Sequence, residues 1–202
     1  MEDGRLGHNA ASAARERVLE VAERLFQEHG LARVTMRDVA DALGMKQASL
    51  YHHAPGGKAQ LYREVFERMI AHHRAGLERS IAAAGPDLRA RLRAVASWYG
   101  AQRPMNFLRM MTSDMPSLGT EEARALAAPA YAALMRPIRD AFIEAAATGA
   151  TLPRDPDLLA GSFLAVLDAV AFAESRAYGA SDRVAMAHVM VDVLLDGLTV
   201  RS

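Results

Sequence analysis

The fold of this chain is decided by residues 35–62, which read TMRDVADALGMKQASLYHHAPGGKAQLY. They predict two short helices joined by a tight turn at Gly44, because glycine adopts a left-handed backbone at little cost. The second helix carries Lys, Gln, Ser, Tyr and two His side chains, and no acidic residue occurs from Gly44 to Lys58. This pattern is typical of a helix-turn-helix, whose second helix enters the major groove of DNA. The sequence therefore predicts DNA binding.

The composition narrows the function classes. The 202 residues are 51% apolar and have a formal net charge of zero, so a nucleic-acid role must rest on local charge. The absence of cysteine excludes disulfides, thiolate nucleophiles and cysteine zinc sites, and it fits a cytoplasmic location. The N-terminal residues lack the apolar core of a secretory signal, and no apolar run reaches the roughly 18 residues of a membrane span. We therefore expect a cytoplasmic protein with no membrane partner.

Helical periodicity extends over the whole chain. Apolar residues recur at three- and four-residue spacing, Gly and Pro mark the breaks, and no pair of β-patterned segments is present. The sequence thus predicts an all-α fold of about nine helices. Residues 1–11 are small and polar and are predicted to be disordered. Pro129 and Pro137 are each predicted to kink or break a helix.

Residues 13–62 resemble the DNA-binding domain of the TetR (tetracycline repressor) family of bacterial transcription regulators. The resemblance rests on an ordered set of residues: Phe26…Gly30, Thr35, Val39-Ala40, Leu43-Gly44, Ser49-Leu50-Tyr51, His53, Lys58 and Leu61. Two positions depart from the family pattern. Ala54 stands where members commonly have Phe, in a longer connection to the lysine, and Lys46 replaces the usual N-cap Ser of the recognition helix. The resemblance implies a helix-turn-helix domain over residues 12–57 and a helical effector-binding and dimerisation domain over residues 58–202.

Several residues are predicted to contact DNA. Gln47 and Lys46 lie near the N-terminus of the recognition helix, where Gln can bind adenine and Lys can bind guanine or a phosphate. Ala48 would contact a thymine methyl or permit close approach. The remaining candidates are predicted phosphate contacts: Arg33, Thr35, Arg37, Ser49, Tyr51, His52 and, by resemblance, Lys58. Tyr51 could instead be a packed aromatic residue, and His53 is interpreted as a core or capping residue.

The C-terminal region is rich in apolar and methionine side chains, and the family resemblance does not assign ligand-binding residues there. Flexible apolar groups suit a cavity for a small, largely apolar molecule, although ordinary core packing gives the same pattern. Polar residues among them would need a partner, which a ligand or a neighbouring helix could supply. The candidate effector-binding residues are Trp98, Asn106, Phe107, Arg109, Met110, Met111, Met135, Phe142, Phe163, Asp168 and Phe172.

The last two predicted helices are apolar on more than one face. A two-fold dimer through a four-helix bundle would bury this excess, as it does in the family. The candidate interface residues are Gly161, Ala165, Ala169, Ala173, Val184, Ala187, Met190, Val191, Leu194, Leu195 and Leu198. Burial within one chain is the alternative.

The sequence favours a ligand-responsive regulator, most simply a repressor, that binds an inverted repeat as a homodimer and is released by a small effector. Two alternatives stay open: a DNA-binding regulator without a small ligand, and an activator. An enzyme is not expected, because the sequence has no nucleophile elbow, P-loop, dinucleotide fingerprint or HExxH motif. Adjacent histidines at 52–53 and 72–73 are poorly arranged for a shared metal ion. No cofactor or metal is predicted.

Overall fold

The structure is a computed structural model that describes residues 3–102, 109–149, 154–174 and 180–197. The described residues form eight α-helices with no strand among them, which confirms the all-α prediction. The helices are α1 (Asp3–His29), α2 (Met36–Ala42), α3 (Gln47–His53), α4 (Gly57–Ala83), α5 (Leu88–Ala101), α6 (Thr120–Ala147), α7 (Pro156–Glu174) and α8 (Ala180–Asp196). Between α5 and α6 lie a π-helical turn, Met110–Asp114, and a 3₁₀ turn, Met115–Leu118.

Two differences from the sequence predictions concern helix ends. The segment predicted to be disordered, residues 1–11, is helical from Asp3, because extending a packed helix avoids the cost of nucleation. Helix α6 continues through Pro129 and Pro137 instead of breaking. Buried side chains on both sides of Pro137, such as Leu134 and Ile138, supply packing that offsets each lost hydrogen bond.

The chain divides into two compact units, which we call the N-terminal unit (residues 3–69 and 109–126) and the C-terminal unit (residues 70–102, 127–149, 154–174 and 180–197). The predicted boundary after residue 57 differs from this division, because α4 is continuous and its first half packs on α1. Phe26 meets Tyr62 edge to face at 5.4 Å between ring centroids, and Tyr62 stacks on Phe66 at 6.2 Å. The start of α4 is therefore part of the N-terminal core.

In the N-terminal unit, α1, α2 and α3 pack together around a core that includes Val18, Ala22, Val39 and Leu50. In the C-terminal unit, α8 packs mainly against α5 and also against α7. None of the helices in the part of the chain that the structure describes has both the length and the hydropathy of a membrane span.

Candidate nucleic-acid interface and effector region

Helix α3 presents a continuous polar face to solvent. Residues Lys46 to Ser49 are exposed, whereas Leu50 is completely buried and holds the helix on the core. Tyr51 is 43% exposed, so its ring is available for contact rather than packed inside. Because no acidic residue lies between Gly44 and Lys58, the exposed donors of this face are not opposed by a carboxylate from the same segment.

The turn between α2 and α3 is fixed by local chemistry. Thr35 caps α2: its hydroxyl accepts the Asp38 N–H at 3.2 Å, and the Asp38 carboxylate accepts the Thr35 N–H at 2.8 Å. These hydrogen bonds from Thr35 lower the pKa of Asp38. Gly44 has φ of 66°, in the left-handed region, and a Cβ there would meet no atom within 4 Å. Backbone conformation alone therefore favours glycine at this turn.

The two departures from the family pattern both have structural consequences. Lys46 is the N-cap of α3 and makes no side-chain capping bond, so its ammonium group stays exposed. Ala54 is completely buried at the exit of α3, and the Gly57 N–H donates to its carbonyl at 2.9 Å. The Gly56 N–H donates to the Gln60 side chain at 2.6 Å, which ties the exit loop to α4.

The predicted DNA contacts all lie in the N-terminal unit. Nine are exposed: Arg33, Thr35, Arg37, Lys46, Gln47, Ala48, Ser49, Tyr51 and His52. Lys58 is half-buried, and its ammonium group donates to the Leu31 carbonyl at 3.0 Å. In this structure Lys58 therefore braces the loop between α1 and α2, which the sequence did not indicate. The contact of these residues with DNA stays a prediction.

The candidate effector residues are divided between the two units. Met135, Phe142, Phe163 and Asp168 are buried in the C-terminal unit, and Trp98 is half-buried there. Three belong to the N-terminal unit: Arg109, Met110 and Met111. Asn106, Phe107 and the Phe172 side chain lie outside the described residues.

A buried cluster in the C-terminal unit joins the predicted residues Trp98 and Asp168 to His73 and Tyr99, and His73 was not among the predicted site residues. Only 4% of His73 is exposed, and its ring stacks on Tyr99 at 5.8 Å and meets Trp98 edge to face at 5.3 Å. Its Nδ1 atom finds no hydrogen-bond partner among the described residues. The Tyr99 hydroxyl donates to Asp168 at 3.1 Å. The signal was present in the sequence, because His73 continues the buried α4 stripe of Val65, Met69 and Leu77.

Burial controls the ionisation of this cluster. It raises the pKa of the Tyr99 phenol, with a further contribution from the Asp168 carboxylate. Burial, assisted by His72, lowers the pKa of His73 from 6.5 to about 4. The imidazole is thus neutral near pH 7, where it can either donate or accept a hydrogen bond. Within the described ranges, no three His, Asp or Glu side chains are arranged to hold a metal ion.

His73 should make the protein less stable in mild acid. Between pH 6.5 and about 4 the unfolded chain binds a proton at this position and the native chain does not, so the free energy of unfolding falls as pH falls. The contribution is at most about 3 kcal/mol. We expect His73→Phe to lose less stability than the natural sequence between pH 7 and pH 4.5, measured by urea unfolding. Equal losses in both proteins would show that His73 does not carry the effect.

The last two helices have an uncovered apolar face. On α8, Ala187, Val191 and Leu195 are buried within the chain, and Val184 lies against Gly100 of α5. Of these four predicted interface residues, Ala187, Val191 and Leu195 are thus buried within one subunit, and Val184 is half-buried. The outward face of α7 and α8, which we call the α7–α8 face, comprises Leu158, Gly161, Ser162, Ala165, Val166, Ala169, Met186, Val189, Met190, Val193 and Leu194.

This face includes the most exposed large apolar side chains of the C-terminal unit. Leu158, Val189 and Val193 are 66%, 59% and 61% exposed. A shallow cavity of about 120 Å³ lies between the two helices, lined by Ser162, Phe163, Val166, Met190, Val193 and Leu194. The side chain of Ala173 and all of Leu198 lie outside the described residues. Two apolar stripes on α8, one inward and one outward, explain why its sequence periodicity did not separate buried from exposed residues.

Comparison with known sequences gives matches to part of the chain. Residues 18–65 match the family described as "Bacterial regulatory proteins, tetR family". The HTH-type transcriptional repressor KstR2 of Rhodococcus jostii is 40% identical over 86 residues, which are 43% of this chain and 41% of that protein. The HTH-type transcriptional regulator LmrA of Bacillus subtilis is 39% identical over 56 residues, 28% of this chain and 30% of the relative. The matched segments thus span less than half of these relatives.

Solved structures extend the likeness to the whole fold. The fatty acid degradation regulator FadR from Bacillus halodurans has a TM-score of 0.74 at 16% identity, covering 93% of this chain and 97% of that chain. The ketosteroid transcriptional regulator KstR2 of Mycobacterium tuberculosis has a TM-score of 0.72 at 19% identity, covering 93% and 96%. At these identities the likeness establishes the fold alone. The curated relatives are a transcriptional repressor and a transcriptional regulator.

Proposed function

Because this chain belongs to the TetR family, with residues 18–65 forming the family's DNA-binding domain, we propose that it is a transcriptional repressor that binds an inverted-repeat operator as a homodimer. The observation that carries the proposal is the exposed, acid-free face of α3, anchored from behind by the fully buried Leu50. Such a helix can enter the major groove while its N-terminal residues reach base edges. Two copies related by a two-fold axis read two half-sites.

The direct test is selection of DNA from a random pool by the purified protein, followed by sequencing and measurement of affinity against salt. An inverted repeat with a steep salt dependence supports the proposal, since phosphate contacts release counterions. Failure to enrich any sequence, together with salt-insensitive binding, contradicts it.

Gln47 should determine part of the operator sequence. A bidentate contact to adenine contributes about 1–3 kcal/mol of discrimination, so we expect Gln47→Ala to weaken binding about 10- to 100-fold per half-site and to relax preference at one position in each half-site. Lys46→Ala should instead reduce the salt slope by about 1 for each phosphate contact that is lost. The measurement is a titration of the selected operator and of single-base variants. The control is Arg136→Ala, which removes an 80% exposed charge from α6 in the C-terminal unit and should change neither quantity. Unchanged base preference in Gln47→Ala would contradict this assignment.

The α7–α8 face supports the homodimer. A contiguous apolar surface of this kind is characteristic of an interaction site, and two antiparallel helices from each copy form a four-helix bundle. Small residues at Gly161, Ala165 and Ala169 would let the facing helices approach closely. A protein that binds an inverted repeat as a two-fold dimer requires a second copy of the chain, and this copy would cover the α7–α8 face.

We further propose that a small, largely apolar effector binds the C-terminal unit and releases the operator. The His73 Nδ1 atom, buried among aromatic rings, suits an effector with a hydroxyl or carbonyl group. Release requires that the effector bind more tightly to the conformation that does not fit DNA. A panel of apolar alcohols and ketones tested for dissociation of the operator complex examines this. If compounds from this panel bind the protein but leave its affinity for the operator unchanged, the result favours a regulator that does not respond to ligands of this class.

A further inference from the structure

The segment Arg109–Leu118 belongs to the N-terminal unit although it lies far along the sequence. It includes the π-helical and 3₁₀ turns between α5 and α6, and it is grouped with residues 3–69 rather than with the helices on either side of it in the chain. The backbone reaches it from the C-terminal unit and returns there through α6.

Asp114 and Arg109 bind the end of α1. The Asp114 carboxylate accepts the Leu31 N–H at 2.9 Å, and only 2% of Asp114 is exposed. The Arg109 guanidinium donates to the carbonyls of Phe26 and Gln27 at 2.9 and 2.8 Å. These carbonyls are in the last turn of α1. The Phe26 carbonyl also accepts the Gly30 N–H at 2.9 Å, whereas the Leu31 N–H, four residues after Gln27, donates to Asp114. Arg109 Nε also lies 3.5 Å from an Asp114 carboxylate oxygen, which joins the two contacts into one assembly, here called the latch.

The latch fixes the corner from which the DNA-binding helices begin. Asp114 binds the N–H of Leu31, and Lys58 of α4 binds the carbonyl of the same residue at 3.0 Å. Leu31 is therefore held from both sides, four residues before the Thr35 cap of α2. Gly30 permits this approach, because a Cβ there would lie 3.1 Å from the Asp114 carboxylate and φ is 80°. The exposed candidates Arg33 and Thr35 follow directly from this corner.

The turn that carries Asp114 is π-helical rather than α-helical. Met110–Asp114 is π-helical, and the Met115 N–H donates to the Met110 carbonyl five residues earlier. A π turn holds one residue more than an α turn, so conversion to α-helix rotates the residues beyond it by about 100°. Asp114 is the last residue of the π turn. A shift of one residue in register would therefore remove its carboxylate from Leu31.

We propose that Arg109 and Asp114 are positioning residues for operator binding, because the latch holds the corner from which α2 and α3 follow. The inference rests on the proposed function as a DNA-binding regulator. When the latch is broken, Leu31 and the residues after it sample conformations in which α2 and α3 do not fit DNA. The apparent affinity is then the intrinsic affinity multiplied by the fraction of molecules in which they do fit.

The first readout is hydrogen exchange at the Leu31 amide. We expect Asp114→Ala to accelerate exchange at Leu31 by at least about 10-fold, the effect of losing a hydrogen bond to a charged group, while amides in α5, α7 and α8 stay as protected as before. Asp114→Asn keeps a side-chain oxygen in the same place and should retain most of the protection. Exchange at Leu31 that is unchanged in Asp114→Ala would overturn the latch.

The second readout is affinity for the operator selected by the natural protein, per folded molecule. We expect Asp114→Ala and Arg109→Ala each to weaken binding roughly 10- to 100-fold, and the double variant to be little worse than either, because the two residues form one assembly. The matched control is Glu122→Ala, which removes a partly exposed ion pair to Arg63 of α4 in the same unit. It should change neither operator affinity nor Leu31 exchange.

The outcomes separate the two proposals. If the natural protein binds no selected DNA, the proposed function fails, whereas Leu31 exchange still decides whether the latch exists. If Asp114→Ala does not fold, Arg109→Ala carries the test, because its side chain is 26% exposed and its loss leaves a smaller void. The positioning role is overturned if Arg109→Ala accelerates exchange at Leu31 but binds the operator as tightly as the natural protein does.

Discussion

Replacing Val189 and Val193 with Asp is expected to make the protein monomeric and to abolish tight binding to an inverted repeat. The two side chains are 59% and 61% exposed in the single chain, so the subunit itself should fold normally. In a two-fold interface, each substitution places an unpaired carboxylate in each copy against apolar surface. Burying an unpaired carboxylate costs several kcal/mol, which is enough to raise the dimer dissociation constant at least about 1,000-fold.

Loss of the dimer should also weaken binding to the full operator. Linking two half-site readers raises the overall affinity by about 10²–10⁴ through effective concentration, without any new contact. We therefore expect the double variant to bind a full operator only as weakly as a single half-site. Sedimentation velocity gives the oligomeric state, and titration of full and half operators gives the affinity.

The matched control replaces the same two residues with Ala. This change removes contact area without introducing charge, so the protein should stay largely dimeric at micromolar concentration. Unfolding curves of all three proteins confirm that the subunits are intact. A double Asp variant that sediments as the natural dimer would rule out the α7–α8 face as the interface.

What could be predicted from the sequence was determined by local interactions. The capping box of Thr35 and Asp38 involves two residues three positions apart, and the turn at Gly44 depends on the backbone of a single residue. Neither requires knowledge of the tertiary structure. The same holds for Leu50, because its spacing within the helix places it opposite the polar residues.

The features that escaped prediction depend on distant partners. Asp114 is buried because it meets Leu31, which is 83 residues earlier, and nothing near Asp114 in the sequence indicates that partner. Arg109 was predicted to be an effector contact, whereas the structure directs its guanidinium to α1. On α8, the inward stripe of Val191 and the outward stripe of Val193 are both apolar. Periodicity alone therefore could not show which of them packs on α5.

Gly76 should be the glycine of the C-terminal unit that least tolerates a side chain. It lies within α4, and a Cβ there would be 2.0 Å from Cζ2 and 2.1 Å from Cε2 of Trp98. Such distances are impossible, so the indole ring must leave its place against His73 if Gly76→Ala is to fold. Loss of the packing of a fully buried Trp costs about 3–5 kcal/mol, so displacing the half-buried Trp98 should cost about 3 kcal/mol, and the higher helix propensity of Ala returns about 1 kcal/mol. We expect a net loss of about 2 kcal/mol.

Fluorescence should report the displacement directly, because Trp98 is the only tryptophan in the chain. Gly76→Ala is expected to shift the emission to longer wavelength and to lower the denaturation midpoint. The control is Gly197→Ala, directly after α8 in the same unit. A Cβ at that position would lie 3.5 Å from the carbonyl oxygens of Leu194 and Val193, which are ordinary contacts. It should leave the emission unchanged and the subunit at least as stable as before.

A double-mutant cycle tests whether the clash is the cause. Trp98→Ala alone removes the packing of the ring and should destabilise the protein, but in that background a Cβ at position 76 has room. The combined Gly76→Ala, Trp98→Ala variant should therefore lose less stability than the sum of the two single changes, with a coupling of about 2–3 kcal/mol. Strict additivity would mean that the indole does not occupy the space beside Gly76. In that case the ring would not stand against His73, and the low pKa of His73 would need another source of burial.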